Sequence, residues 1–191
     1  MPASKCNDSF VRSLLFINLP RQCGVYKIKV TIMTKAAMKP DQVVSTLNSL
    51  IELNRDGQKG FQEAADKIDS PRIKEFCSKQ SLARAQFVGE LQPQVRSLGG
   101  EPEKTGSVAA AVHRGWIDLT STLGGGDHAI LVATETGEDY AVGEYKKALD
   151  ETLPEPVRKI VDRQFQSVKR AHDKVKTMRD SLDKSSASAS R

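Results

Sequence analysis

Three residues in the second half of the chain have the types and spacing for metal chemistry: Glu135, Glu138 and His172. Glu135 and Glu138 are three apart, so a helix carries both carboxylates on one face. His172 adds an imidazole from a later helix. A helical two-metal site takes one Glu from each of two helices and a Glu-x-x-His from each of the other two. Against that requirement the set is short. Lys169 stands three residues before His172, where the carboxylate belongs. Gln80, Ala83 and Gln86 fill the corresponding turns of an earlier helix, and Asn54 takes the place of a first-helix Glu. The pattern therefore predicts no complete two-metal site and no cofactor. A weaker one-metal site for iron or manganese, from Glu135, Glu138 and His172, is the alternative.

The preferred reading of the same residues is structural. An unpaired buried charge is costly, so seam carboxylates need partners. Arg84 and His172 are the expected partners, and Asn54, Gln80 and Gln164 extend the set into a polar layer that fixes helix register. Other candidates carry less. Gly124-Gly125-Gly126 before a helix lacks the lysine and hydroxyl of a P-loop. His113 has no Ser, Cys or Asp at a triad-like spacing, and Ser107 reads as a helix cap.

Four long helices must position these groups. The first is expected from Asp41 to Ile68, with Val43, Leu47, Leu50, Asn54, Gly57, Phe61, Ala64 and Ile68 on one face. The second starts at a Ser70 cap and Pro71, carries Ile73, Phe76, Cys77, Gln80, Ala83, Phe87, Leu91, Val95 and Leu98, and ends at Gly99-Gly100. Pro93 inside it predicts a kink. A shorter helix over 107–123, containing Trp116, lies in a long connection. The third bundle helix spans Asp127 to Asp150, with Asp127 as its cap, and the fourth runs from Pro154-Glu155-Pro156 to about Leu182. Gly57 and Gly60 are costly inside a helix, and close approach of the connection, with Trp116 over them, is the expected reason. One long crossover among four helices is the layout of an all-α, ferritin-like four-helix bundle.

The bundle is expected over 39–183, with 184–191 as a disordered Ser/Ala tail and 1–38 as a poorly ordered extension. Val25 to Ile32 alternates like a strand without a partner, and Met33 is an alternative translation start. The net charge is +5, but residues 1–40 hold +6 of it, leaving −1 on residues 41–191. A near-neutral body argues against nucleic-acid binding, which needs a basic stripe on the domain itself. No apolar run approaches the ~20 residues of a membrane helix. Three cysteines without metal-like spacing, Cys6, Cys23 and Cys77, suit a reducing cytoplasm.

Several motifs resemble one family. They are Asp56-Gly57-x-x-Gly60-Phe61-x-x-Ala64-Ala65, Arg84-x-x-Phe87-x-x-Glu90-Leu91, Leu98-Gly99-Gly100-x-Pro102, Gly106-Ser107, His113-Arg114-Gly115-Trp116, Glu138-Asp139, Tyr145 and His172-Asp173. Over residues 42–182 the chain resembles the bacterial ferritin-like four-helix-bundle proteins known as domain of unknown function 2383, including a pseudomonad type. The resemblance implies the fold and adds no catalytic residues. The functional expectation is a non-catalytic bundle that works by association with itself or with an unidentified protein partner. A stress role is an analogy with the family alone. The alternative is an incomplete iron or manganese site with weak oxidase activity.

Overall fold

The computed structural model describes residues 38–104 and 126–189, with side chains through 183. The expected strand at 25–32, Met33, Cys6, Cys23 and the 107–123 helix with His113 and Trp116 lie outside the described residues. Four helices are described: α1 (Pro40–Lys67), α2 (Pro71–Ser97), α3 (Gly126–Asp150) and α4 (Glu155–Ala189).

The cross-helix bonds fix their directions. Ser81 Oγ donates to the Gln58 carbonyl at 2.9 Å, and Gly100 packs on Val44, so α1 and α2 run antiparallel. Thr46 bonds to Glu151 at 2.8 Å near one end, and Asp127 bonds to Asp69 at 2.8 Å near the other. Helices α1 and α3 are therefore antiparallel as well. Tyr145 meets Gln164 and His128 meets Asp183, which makes α3 and α4 antiparallel. The order is up-down-down-up. Because α2 and α3 point the same way, the connection between them must travel the length of the bundle. That is about 40 Å, the rise of the 28-residue α1. Its first residues already climb along α1. Asn48 donates to the Glu101 carbonyl at 3.0 Å and accepts from the Glu103 N–H at 2.9 Å, and Arg55 reaches the Glu103 carbonyl at 3.4 Å.

The helix ends follow local chemistry. Gly99 at φ 79° ends α2, with Gly99 N–H donating to the Arg96 carbonyl and Gly100 N–H to the Val95 carbonyl, both at 3.0 Å. This pair of hydrogen bonds satisfies carbonyls that the helix end leaves open. A Cβ on Gly100 would fall 2.6 Å from Val44 Cγ1, so the turn is also pressed against α1. The α1–α2 turn is capped differently from expectation. Ser70 holds the cap position without a side-chain bond. Asp127, expected to cap its own helix, accepts instead from the backbone N–H groups of Asp69 and Ser70, at 2.8 and 3.0 Å. Helix α2 continues through the exposed Pro93 to Ser97. Helix α4 runs past Leu182 to Ala189, into the expected tail. No residue there breaks a helix, and alanine favours one.

Two apolar clusters fill the bundle. One joins Leu47, Leu50, Leu91, Val95, Val157 and Val161. The other joins Phe61, Ala64, Ile73, Cys77, Leu131 and Val175. The buried Asn54 and Arg84 fall between them along α1 and α2. Among the described residues, no helix is long and apolar enough to cross a membrane.

Candidate functional site

The expected inner face of α2 holds at Ile73, Cys77, Phe87, Leu91 and Val95, but in its middle the buried positions lie one residue later. Ser81 and Arg84 are buried, while Gln80 and Ala83 are half-buried and Gln86 is exposed. Arg84 faces a buried carboxylate as expected, whereas Gln80 makes no bond within the polar layer described next. Gly57 also differs from expectation. It lies against the aliphatic stem of Arg84, where a Cβ would stand 3.6 Å from Cγ and Cδ.

Arg84 is 1% exposed. Its Nη2 donates to both oxygens of Glu138, at 2.7 and 2.6 Å, and its Nη1 reaches Asn54 Oδ1 at 3.4 Å. The guanidinium carbon lies 5.9 Å from the ring centres of both Phe61 and Phe87, a cation–π setting. From Asn54 the chain of bonds continues. Asn54 Nδ2 donates to the Tyr145 hydroxyl at 2.7 Å, which donates to Gln164 Oε1 at 2.9 Å. Gln164 Nε2 donates to Glu90 at 2.8 Å, and Arg163 donates to the same carboxylate oxygen at 2.9 Å. All four helices contribute. Burial pushes the Glu138 carboxyl upward from its usual range and outweighs the pull of Arg84 in the other direction. Burial raises the Tyr145 hydroxyl to about 12, so it stays protonated and can donate. Burial also opposes ionisation of Glu90, but its bonds from Arg163 and Gln164 leave its carboxyl below the usual range.

A second set lies on the α3–α4 flank. Glu135, Asp139 and His172 bring one ligand atom each to within 4.8 Å of one another. His172 Nε2 is 2.8 Å from Asp139, and its Nδ1 is 3.0 Å from Asp173. Partial burial disfavours the charged ring, but Asp173 and Asp139 overcome it and raise the His172 pKa. Arg179 pairs with Glu135 and, at 2.6 Å, with Asp180. His128 keeps 43% of its side chain exposed and pairs with Asp183 at 2.7 Å.

The expected ligand trio is thus divided. Glu135 and His172 fall together, whereas Glu138 is held by Arg84 in the interior. Asp139 joins the group in place of Glu138 because it lies one turn from Glu135, on the side of α3 that meets α4. Of the expected polar layer, the structure links Asn54, Arg84, Glu138 and Gln164, and leaves Gln80, Glu135 and His172 outside that chain of bonds. Tyr145, Glu90, Arg163 and Arg179 were not anticipated as members of either set. The i, i+7 spacing of His172 and Arg179, opposite Asp139 and Glu135 on an antiparallel neighbour, is the sequence signal that marks the flank.

A family model described as a domain of unknown function, DUF2383, matches residues 42–151. The chain belongs to the DUF2383 family. No curated protein sequence matches it. Among solved structures, this DUF2383 chain is similar to a dodecameric thioferritin, the bacterioferritin-related protein of Bacteroides fragilis, at TM-score 0.63 and 9% identity, covering 79% of this chain and 92% of that one. It is similar to a point mutant of Mycobacterium smegmatis Dps1 at TM-score 0.61 and 16% identity, covering 73% and 96%. A two-domain Anabaena variabilis protein with DJ-1/ThiJ/PfpI-like and ferritin-like domains matches at TM-score 0.62 and 9% identity. That match covers 78% of this chain, which spans only 39% of the Anabaena protein. These likenesses establish the ferritin-like fold.

The fold raises a two-metal centre inside the bundle, and the residues present do not fit one. The inner layer offers one fully buried carboxylate, Glu138, already bonded to a fixed positive charge, and Glu90 at its edge is held by Arg163 and Gln164. Asn54, Tyr145 and Gln164 supply neutral groups that are spent on one another. A guanidinium does not deprotonate in proteins, so Arg84 repels any cation placed beside it.

Proposed function

We propose that this protein is a non-catalytic ferritin-like bundle that acts by association with further copies of itself. The observation that supports this reading is the Arg84–Glu138 pair. It fills the bundle centre with a protein cation where a bundle of this fold would hold metals, and so removes the interior as a place for redox chemistry. With the interior closed, the outer surface is what remains to act. The Bacteroides fragilis relative is described as dodecameric, which makes a second copy of this chain the partner to test first. Leu82 and Tyr140, 66% and 63% exposed, are the large apolar side chains most open to water among the described residues.

Light scattering after size exclusion tests the reading. An oligomer that weakens when Leu82→Glu or Tyr140→Glu is introduced supports it. A strict monomer at every concentration removes it.

A further inference from the structure

The flank group differs from the interior in the one respect that matters for a cation, because one of its donors, Asp139, is open to water. Glu135 is largely buried, His172 keeps 18% of its side chain exposed and Asp139 keeps 66%. An ion can reach the group without opening the bundle. Two helices build it, each using its own spacing. Glu135 and Asp139 are one turn apart on α3, and His172 meets them from antiparallel α4.

We propose that Glu135, Asp139 and His172 form a binding site for a single first-row divalent cation on the α3–α4 flank, with Asp173 orienting the imidazole from behind. The donor chemistry sets the class: one imidazole and two carboxylates suit manganese, iron or zinc, and water takes the open positions. Asp173 supplies the feature that separates a ligand from a bystander histidine. In the cation-free protein both ring nitrogens meet carboxylates, Nδ1 at 3.0 Å from Asp173 and Nε2 at 2.8 Å from Asp139; an arriving cation displaces the Nε2 proton while Asp173 keeps the Nδ1 hydrogen. Metal-bound histidines are commonly held through their other nitrogen in this way.

Arg179 makes the site competitive. It neutralises Glu135 in the cation-free protein. It also has a second partner on its own helix, Asp180, reached by Nη2 at 2.6 Å and Nε at 3.1 Å. An arriving cation takes Glu135 while the guanidinium stays on Asp180. The site goes beyond the self-association reading and does not depend on it, since either can fail alone.

The test uses the full chain without a histidine tag. Mn²⁺ binding is read from loss of the free-ion electron paramagnetic resonance signal, and Zn²⁺ binding by calorimetry, at neutral pH. One equivalent per chain is expected. Asp139→Asn and His172→Gln should each weaken binding at least about tenfold. Asp173→Asn should weaken it about 10- to 100-fold without removing a direct ligand. Arg179→Gln should tighten it, because the competing cation is gone; a merely electrostatic acidic patch would also respond to Arg179→Gln but not selectively to His172→Gln. Circular dichroism of each variant verifies the helices. Absence of both ions from the wild-type protein, or binding that Asp139→Asn and His172→Gln leave unchanged, overturns the site.

Discussion

Replacing Glu138 by leucine leaves the Arg84 guanidinium buried at 1% exposure with no carboxylate. Breaking one side of a buried ion pair costs about 3–5 kcal/mol. A chain of this size loses roughly 2–4 °C of Tm per kcal/mol, so Glu138→Leu should lower Tm by about 6–20 °C. Arg84→Met keeps the stem that packs near Gly57, Phe61 and Phe87 but leaves the carboxyl alone. The two variants then part company with pH. Arginine has no neutral form to retreat to, whereas an orphaned carboxyl can take up a proton. Burial already pushes Glu138 upward, and losing Arg84 pushes it further. A carboxyl whose folded pKa is raised destabilises above its unfolded pKa, near 4.3, and the penalty shrinks as pH falls through the folded value. Arg84→Met should therefore recover relative to wild type as pH is lowered from neutrality toward the unfolded value, while Glu138→Leu should not. The double variant, Arg84→Met with Glu138→Leu, removes both charges and should be more stable than either single variant. Thermal melts by circular dichroism across that pH range give all four corners of the cycle. Additive single costs, or a Glu138→Leu variant within about 1 kcal/mol of wild type, would refute the pair as the organising contact of the interior.

Further outcomes concern the helix ends, a carboxylate and a thiol. Gly100→Ala should destabilise by about 1–3 kcal/mol through the 2.6 Å clash with Val44, and Val44→Ala should restore much of that loss in denaturant titrations. Asp127→Ala should cost about 1 kcal/mol, a typical lost cap, because the Asp69 and Ser70 N–H groups lose their acceptor. Glu90 has a depressed folded pKa, so its contribution is present above the unfolded value and is lost as pH falls through the folded one. Glu90→Gln should accordingly melt below wild type at pH 7 and converge with it as pH falls through the depressed folded value. In a Cys6→Ser, Cys23→Ser background, Cys77 should resist thiol reagents until the protein unfolds. Burial raises its pKa to about 12 and leaves almost no thiolate.

Helix positions and the crossover were legible because apolar spacing over four long segments leaves little freedom. The four helices start and stop within a few residues of their expected limits, save the end of α4. What periodicity does not carry is the rotation of a helix whose inner face holds a charge. Arg84 was legible as the partner of a seam carboxylate, but the apolar repeat puts Gln80 and Ala83 on the inner face where the structure has Ser81 and Arg84. Glu138 was legible as an inner residue, but the place of Asp139 beside Glu135 and His172 was not. Glu138 and Asp139 are adjacent on α3, and only the packing of α1 and α4 against that helix decides which faces the interior and which faces the flank. Asp127 was legible as a capping residue, but not as one that caps a neighbour's turn.

The up-down-down-up order bears on how the chain assembles. Helices α1 and α2 can pair locally, as can α3 and α4, since the antiparallel neighbours are joined by short turns. The bonds between the two hairpins span far more chain: Asn54 to Tyr145 is 91 residues, and Thr46 to Glu151 is 105. Loop closure of that length must be met before those contacts return anything. The polar layer therefore closes last, when one hairpin settles on the other. A docking slipped by one turn would bury Arg84 against apolar side chains, so the layer acts as a proofreading step on hairpin registration. Substitutions at Asn54 or Tyr145 should accordingly speed unfolding while leaving the folding rate nearly unchanged.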